Sequence, residues 1–391
     1  MTNATTLYQG LLSLLDRGQW RDQRHLKTAV NMLVGLMLSS SISLNRWIPY
    51  TLGRALQAQS VQRRFARWLN NKRIDVQGLY APLIQEALSA WGQSRVYLAL
   101  DTTMLWDRYC LICLSVIYRG RAVPLAWQVV EHGSAQVAFS VYRPLLQRAA
   151  ALLPEGTGKV VLLADRGFAD VDLMRLCRGL GWGYRLRIKS NFLVYRRAHG
   201  SALVEQLLPK RKGKAMFLHN VLLTGRRHGP VHLALVRPGG DEDPWLIVSD
   251  ELTGLQTFEE YGLRFDIEEH FLDDKSNGFQ LEDSKLRSAV AIERLFFGVA
   301  AATLYLVAQG CEVVAQGRRR EVDPHWFRGS SYLKIGWQWL KHALHKGWCL
   351  ITRWCLSGGE DPDPAMASRR QYEQSRRKFQ KFTCQTTCYE T

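Results

Sequence analysis

Residues 261–275 read YGLRFDIEEHFLDDK and place Tyr261, Arg264, Glu268 and Lys275 at offsets of 0, 3, 7 and 14. At about 100° of rotation per helical residue, these four share one stripe roughly 60° wide. Glu269 falls about 80° from Tyr261, so of the two adjacent glutamates only Glu268 joins the stripe. Such a face sets a carboxylate between an arginine and a lysine, with a tyrosine hydroxyl close by. The carboxylate can hold a divalent cation, and the cations and hydroxyl can hold phosphate oxygens. A solvated helix face with ordinary i,i+4 pairs is the plainer alternative.

Two aspartates upstream weigh against the plainer reading. Asp101 closes the apolar run VYLALD (96–101) and Asp165 closes VVLLAD (160–165). Continuous apolar runs of this length suit strands buried in a sheet. The carboxyl ends of such strands are where sheet-based sites collect their polar groups. A single aspartate there is commonly a turn residue or helix cap. Two of them, together with a helical glutamate on a basic chain, point to a shared acidic site.

LALDTT around Asp101, LLADRGF around Asp165 and the spacing Y-x2-R-x3-E-x6-K from Tyr261 to Lys275 resemble the transposases of the IS4 type. The resemblance covers roughly residues 94–310. It implies an α/β, RNase H-like catalytic core of the DDE kind, interrupted by a β-rich insertion. The implied organisation is a helical DNA-binding domain over 1–90, core segments over 91–190 and 256–310, the insertion over 191–255, and a basic helical region over 311–391. On the same ground Asp101, Asp165 and Glu268 are the catalytic and metal-binding residues. Asp101 would bridge two Mg²⁺ ions about 4 Å apart, with Asp165 and Glu268 each expected to complete one site. An all-oxygen donor set suits a hard cation, with Mn²⁺ able to substitute. Tyr261, Arg264 and Lys275 then hold phosphates flanking the cut. Trp245 is a candidate stacking surface for a base drawn from the duplex, with a core tryptophan as its alternative; Phe265 lies off the stripe, which favours packing. Water and then a freed 3′-OH are the expected nucleophiles, with no covalent protein–DNA link. The implied partners are double-stranded DNA, terminal inverted repeats and target DNA, met by a homodimer in the synaptic complex within the cytoplasm.

The elements that must position these residues are legible along the chain. Residues 1–90 carry helical patterning, with a core helix near 26–44 and an amphipathic basic helix, SVQRRFARWLNNKR, over 60–73. Its arginines read either as the outer face of a bundle or as contacts to DNA phosphates. From 94 to 190 the order is three strands, a helix near 137–153, a strand ending at Asp165, a helix near 170–180, and the strand YRLRIK (184–189). Arg119-Gly120 reads as a hairpin turn. Short strands fill 190–255, one continuous helix is expected over 256–275, and a long buried helix over 285–308. A Trp-rich helix near 331–345 and a basic segment over 368–382 follow.

The 391-residue chain has a net charge of +17, which points to a polyanionic partner, nucleic acid before an anionic membrane surface. Charged residues at 22% and hydrophobic ones at 47% exclude a disordered chain. MTNATTLYQG lacks the basic-then-apolar order of a secretory signal. The eight cysteines match no standard zinc spacing and read as free or structural thiols.

Two rival functions are open to test. A tyrosine recombinase would use His325, Arg328 and Tyr372, but leaves all three carboxylates idle. A protein derived from a transposase that binds DNA ends without cutting them would keep the same basic surface.

Overall fold

A computed structural model of the chain describes residues 3–18, 20–53, 57–91, 95–211, 213–238, 243–272, 279–350, 354–365 and 382–389, with backbone alone at 269, 270 and 272. Helices α1 (Asn3–Leu15), α2 (Gln23–Ser39), α3 (Leu44–Trp47), α4 (Ala58–Leu69) and α5 (Val76–Leu88) come first. The order then runs β1 (Val96–Leu105), β2 (Tyr109–Tyr118), β3 (Arg121–Glu131), α6 (Phe139–Leu152), β4 (Val160–Ala164), α7 (Val171–Gly179) and β5 (Gly183–Arg187). Next are β6 (Leu193–Arg196), β7 (Gly200–Leu203), α8 (Val204–Leu207), β8 (Lys214–Leu223), β9 (His228–Val236) and β10 (Trp245–Ser249). Helices α9 (Leu255–Gly262), α10 (Phe265–Leu272), α11 (Ala289–Ala315) and α12 (Tyr332–Lys346) precede a last strand, β11 (Thr383–Cys388).

The strands form one mixed, mostly antiparallel sheet, ordered β3-β2-β1-β4-β5-β10-β9-β8-β6-β7, with β11 added beside β8. The order places strands and helices in a mixed α/β arrangement, the class expected from the sequence. Strands β1, β4 and β5 pair in parallel at its centre, and their runs VYLAL, VVLLA and GYRLR are buried along nearly their whole length. Arg119 and Gly120 both have positive φ, 50° and 80°, in the two-residue turn that joins β2 to β3, the backbone such a tight hairpin requires. Strands from the region expected as an insertion continue the same sheet, because β10 pairs antiparallel with β5.

Two sequence expectations are corrected. Strand β1 does not end at Asp101 but runs on to Leu105. Its parallel pairing with β4 stops at Leu100 opposite Ala164, whereas its antiparallel pairing with β2 carries on to Leu105 opposite Tyr109. Asp101 therefore sits where the parallel ladder closes and the hairpin takes over. The helix expected over 256–275 is two helices, interrupted at Leu263 and Arg264. The amides of Leu263 and Arg264 bond the carbonyls of Glu260 and Tyr261, three residues back, at 3.2 and 3.0 Å. Gly262, a weak helix former, precedes this tight turn.

Helix α11 is the apolar spine. It is long and apolar enough to cross a bilayer, yet it is buried within the protein. Trp68 of α4 stacks on its Phe297 at 6.2 Å, and Trp337 of α12 donates to the Met37 carbonyl of α2 at 2.9 Å. The first five helices thus share one core with the sheet. Helices α11 and α12 cross at Gly310 and Gly336, where a Cβ on either would overlap the other helix's backbone.

Candidate active site

Helix α9 is clamped to the sheet from both sides, which fixes the start of the motif. Its inward residues Phe258 and Tyr261 pack with Ala215, Phe217, Ala234, Val236 and Ile247 on strands β8, β9 and β10. Glu260 pairs with the buried Arg185 of β5 at 2.6 Å. The turn at Leu263 and Arg264 then swings Arg264 toward the end of the β1–β4 ladder.

Arg264 gathers the acidic residues. It is 5% exposed, and donates from Nη1 to Asp101 Oδ2 at 3.0 Å and from Nη2 to Glu268 Oε1 at 2.6 Å. Its Nε is buried with no hydrogen-bond partner among the described residues. Tyr261 Oη reaches Asp165 Oδ1 at 3.4 Å, a long and weak bond. Asp101 also accepts the Thr102 amide at 2.8 Å. Two motif side chains thereby connect three carboxylates that lie far apart in the sequence. Lys275, the fourth position of the motif, lies outside the described residues.

The electrostatics follow from burial. Desolvation pushes the Asp101 carboxyl up to about 6, against the pull of Arg264 and the Thr102 amide, and the charges of Glu268 and Asp165 add to the rise. Burial likewise raises the Tyr261 hydroxyl to about 12, so it serves as a neutral donor. Burial disfavours the Arg264 cation, but Tyr261, Asp101 and Glu268 more than offset this and hold it charged.

Carboxylate oxygens of the kind that Asp101, Asp165 and Glu268 carry suit a hard divalent cation. Among the described residues no three His, Cys, Asp or Glu side chains stand together as a ready metal group. The guanidinium of Arg264 lies between Asp101 and Glu268, where it supplies the neutralising charge.

Trp245 is half-buried at the start of β10. Its ring meets Tyr261 at 5.5 Å, Phe258 at 6.3 Å and Phe265 at 6.1 Å. Phe265 is 38% exposed, with the Arg264 guanidinium 4.9 Å from its ring centre. An aromatic ledge thus borders the acidic residues. Helix α4 turns Val61, Phe65, Trp68 and Leu69 inward and leaves Arg63 and Arg67 outside.

Three residues beside the site escape sequence reasoning. Arg187 lies 4.0 Å from Asp165, and both Arg187 and Arg166 reach Asp243 at 3.6 Å. Arg166 directly follows Asp165 in LLADRGF and could have been flagged; an arginine inside a strand and an aspartate in a loop carry no signal of their own.

The rival constellation around His325 does not assemble as a phosphate site. Arg328 is 1% exposed and bound to the Asp361 carboxylate at 2.7 Å and the Ser330 carbonyl at 3.0 Å, which leaves it committed to the fold. Tyr372 lies outside the described residues. None of the eight cysteines forms a disulfide.

Residues 113–305 match the family described as the transposase DDE domain. No curated protein matches the chain. The matched stretch is a little under half of the chain and contains Asp165, Tyr261, Arg264 and Glu268, while Asp101 precedes it. A segment similar to the transposase DDE domain therefore carries most of this acidic site, and that similarity supports a DNA transposase in general.

Proposed function

We propose that the chain is a DNA transposase of the IS4 type that cleaves at transposon ends and transfers the freed strand into target DNA. The observation that carries this reading is the pair of hydrogen bonds that Arg264 donates, one to Asp101 and one to Glu268, with Tyr261 beside Asp165. Asp101, Asp165 and Glu268 would hold divalent ions, Mg²⁺ first. When bound, such ions stabilise the charge that develops on the entering and leaving oxygens. Arg264 positions the Asp101 and Glu268 carboxylates and balances their charge. Tyr261 donates a neutral hydroxyl. The ledge of Trp245 and Phe265 offers a surface on which an unpaired base can stack. Water is the first nucleophile and the 3′-OH it frees is the second; two protomers would be needed to join two ends.

The test is incubation of the protein with candidate inverted-repeat duplexes and Mg²⁺, followed by mapping of the nick. Asp101→Ala, Asp165→Ala and Glu268→Ala should each bind the duplex and leave it uncut. A second reading, a protein that binds DNA ends without cutting, is favoured by one observation: Arg264 already neutralises Asp101 and Glu268. Binding by the unmutated chain with no nick in Mg²⁺ or Mn²⁺ would decide for it.

A further inference from the structure

Beside Asp165 lies a cleft of about 550 Å³ lined by Arg166, Arg187, Lys189, Asn191, Asp243 and Pro244. It joins the end of β5 to the start of β10, so its floor is set by the central sheet. Among the described residues, three cations face one carboxylate there. Arg187 is 15% exposed and oriented by its bond to the Pro244 carbonyl at 3.1 Å. Its guanidinium stands between Asp165 at 4.0 Å and Asp243 at 3.6 Å, which places the cleft directly against the acidic site.

Asp243 is the unusual member. It is 66% exposed, and both of its ion pairs, to Arg166 and Arg187, are 3.6 Å long, beyond hydrogen-bond contact. Exposed pairs of this kind are weak and easily exchanged for a better anion. A phosphodiester carries the same charge, with oxygens that a guanidinium fork can bind in two places. Ser190 and Asn191 at the rim add neutral donors.

We propose that this cleft binds a backbone phosphate of the DNA strand cut at the neighbouring carboxylates, and that Asp243 fills it as an internal stand-in until that strand arrives. The inference rests on the transposase reading above and adds a subsite to it. Arg166 and Lys189 supply charge from the rim. Arg187 links the captured phosphate to Asp165. Asp243, immediately before Pro244 and Trp245, swings out into solvent as the strand enters.

The experiment measures binding of the full chain to a fluorescent duplex of arbitrary sequence, in EDTA, over a series of salt concentrations. Arg166→Ala and Lys189→Ala should each weaken binding and reduce the slope of log K against log salt by about 0.9, the share of one phosphate contact. Asp243→Asn should tighten binding, by up to about fivefold. Arg166 is more than half exposed and Lys189 is exposed, so these substitutions leave the fold standing; a thermal melt of each variant verifies it. A general loss of structure would weaken all three variants, so the opposite sign at Asp243 separates the proposal from it. Alanine variants with the unmutated salt slope, or an Asp243→Asn variant that binds no tighter, overturn the proposal. Because binding is read without chemistry, a chain that never nicks DNA can still support the cleft. Conversely, nicking that depends on Asp101 with unchanged salt slopes would remove the cleft and keep the nuclease.

Discussion

Glu260 and Arg185 form a 2.6 Å ion pair in which the arginine is 2% exposed. Glu260 is the residue before Tyr261, so the pair anchors helix α9 next to the hydroxyl that reaches Asp165. Arg185 is also held by Glu251 at 2.6 Å and by the Ser249 hydroxyl at 2.9 Å. A buried guanidinium left with fewer partners is costly. Glu260→Ala should lower stability by about 3 kcal/mol, read from urea unfolding, and should loosen the placement of Tyr261.

Loss of the Asp101 charge should abolish metal-dependent nicking while DNA binding persists. The same substitution carries a stability signature. Asp101 titrates near 6 in the fold and near 3.8 in the unfolded chain. Its favourable contribution is full below about pH 4 and is lost as pH rises through 6. The metal-free protein should therefore lose of the order of 2–3 kcal/mol over that window relative to Asp101→Asn, whose side chain does not ionise. Parallel unfolding curves of the two proteins from pH 4 to 7 would contradict the burial of this carboxyl.

Glu251 behaves in the opposite sense. Burial would raise its carboxyl, but hydrogen bonds from Arg185, Lys159 and Arg95 outweigh burial and bring it down to about 2, from 4.5. A depressed carboxyl stabilises the fold above its unfolded value and ceases to do so as pH falls through the folded one. Between about pH 4.5 and 2 the unmutated protein should lose stability more steeply than Glu251→Gln. Thermal melts across that range measure the difference in slope.

The crossing of α11 and α12 depends on Gly310 and Gly336. A Cβ at Gly336 would overlap the Leu306 carbonyl, and one at Gly310 the Tyr332 carbonyl. These are backbone atoms in rigid helices, so neither side can give way cheaply. Gly336→Ala should cost at least ~3 kcal/mol and reduce the yield of folded protein, whereas Gly156→Ala tests only the strain of its φ of 77° in an open turn. A Gly336→Ala protein with an unchanged melting temperature would show that the two helices are not in backbone contact.

The sequence by itself determined which residues could do chemistry and the local elements that carry them. Apolar runs located β4 and the start of β1, though not its end at Leu105, and the segment YRLRIK located β5; the two-residue turn at Arg119 and Gly120 marked a hairpin; apolar density marked α11 as a buried helix. Residue types and offsets singled out Asp101, Asp165 and Glu268 together with Tyr261 and Arg264. These are local signals, set by periodicity of 2 or 3.6 and by turn backbone. Tertiary structure decided how the five meet. Only the order β1-β4-β5-β10 brings Arg264 to Asp101, 163 residues away, and no local period encodes that distance. The same packing broke the expected helix at Arg264, set the protonation of Asp101 through burial, and drew Arg166, Arg187 and Asp243 to one cleft. Burial and long-range charge are properties of the closed sheet, because desolvation acts only once neighbouring elements have excluded water.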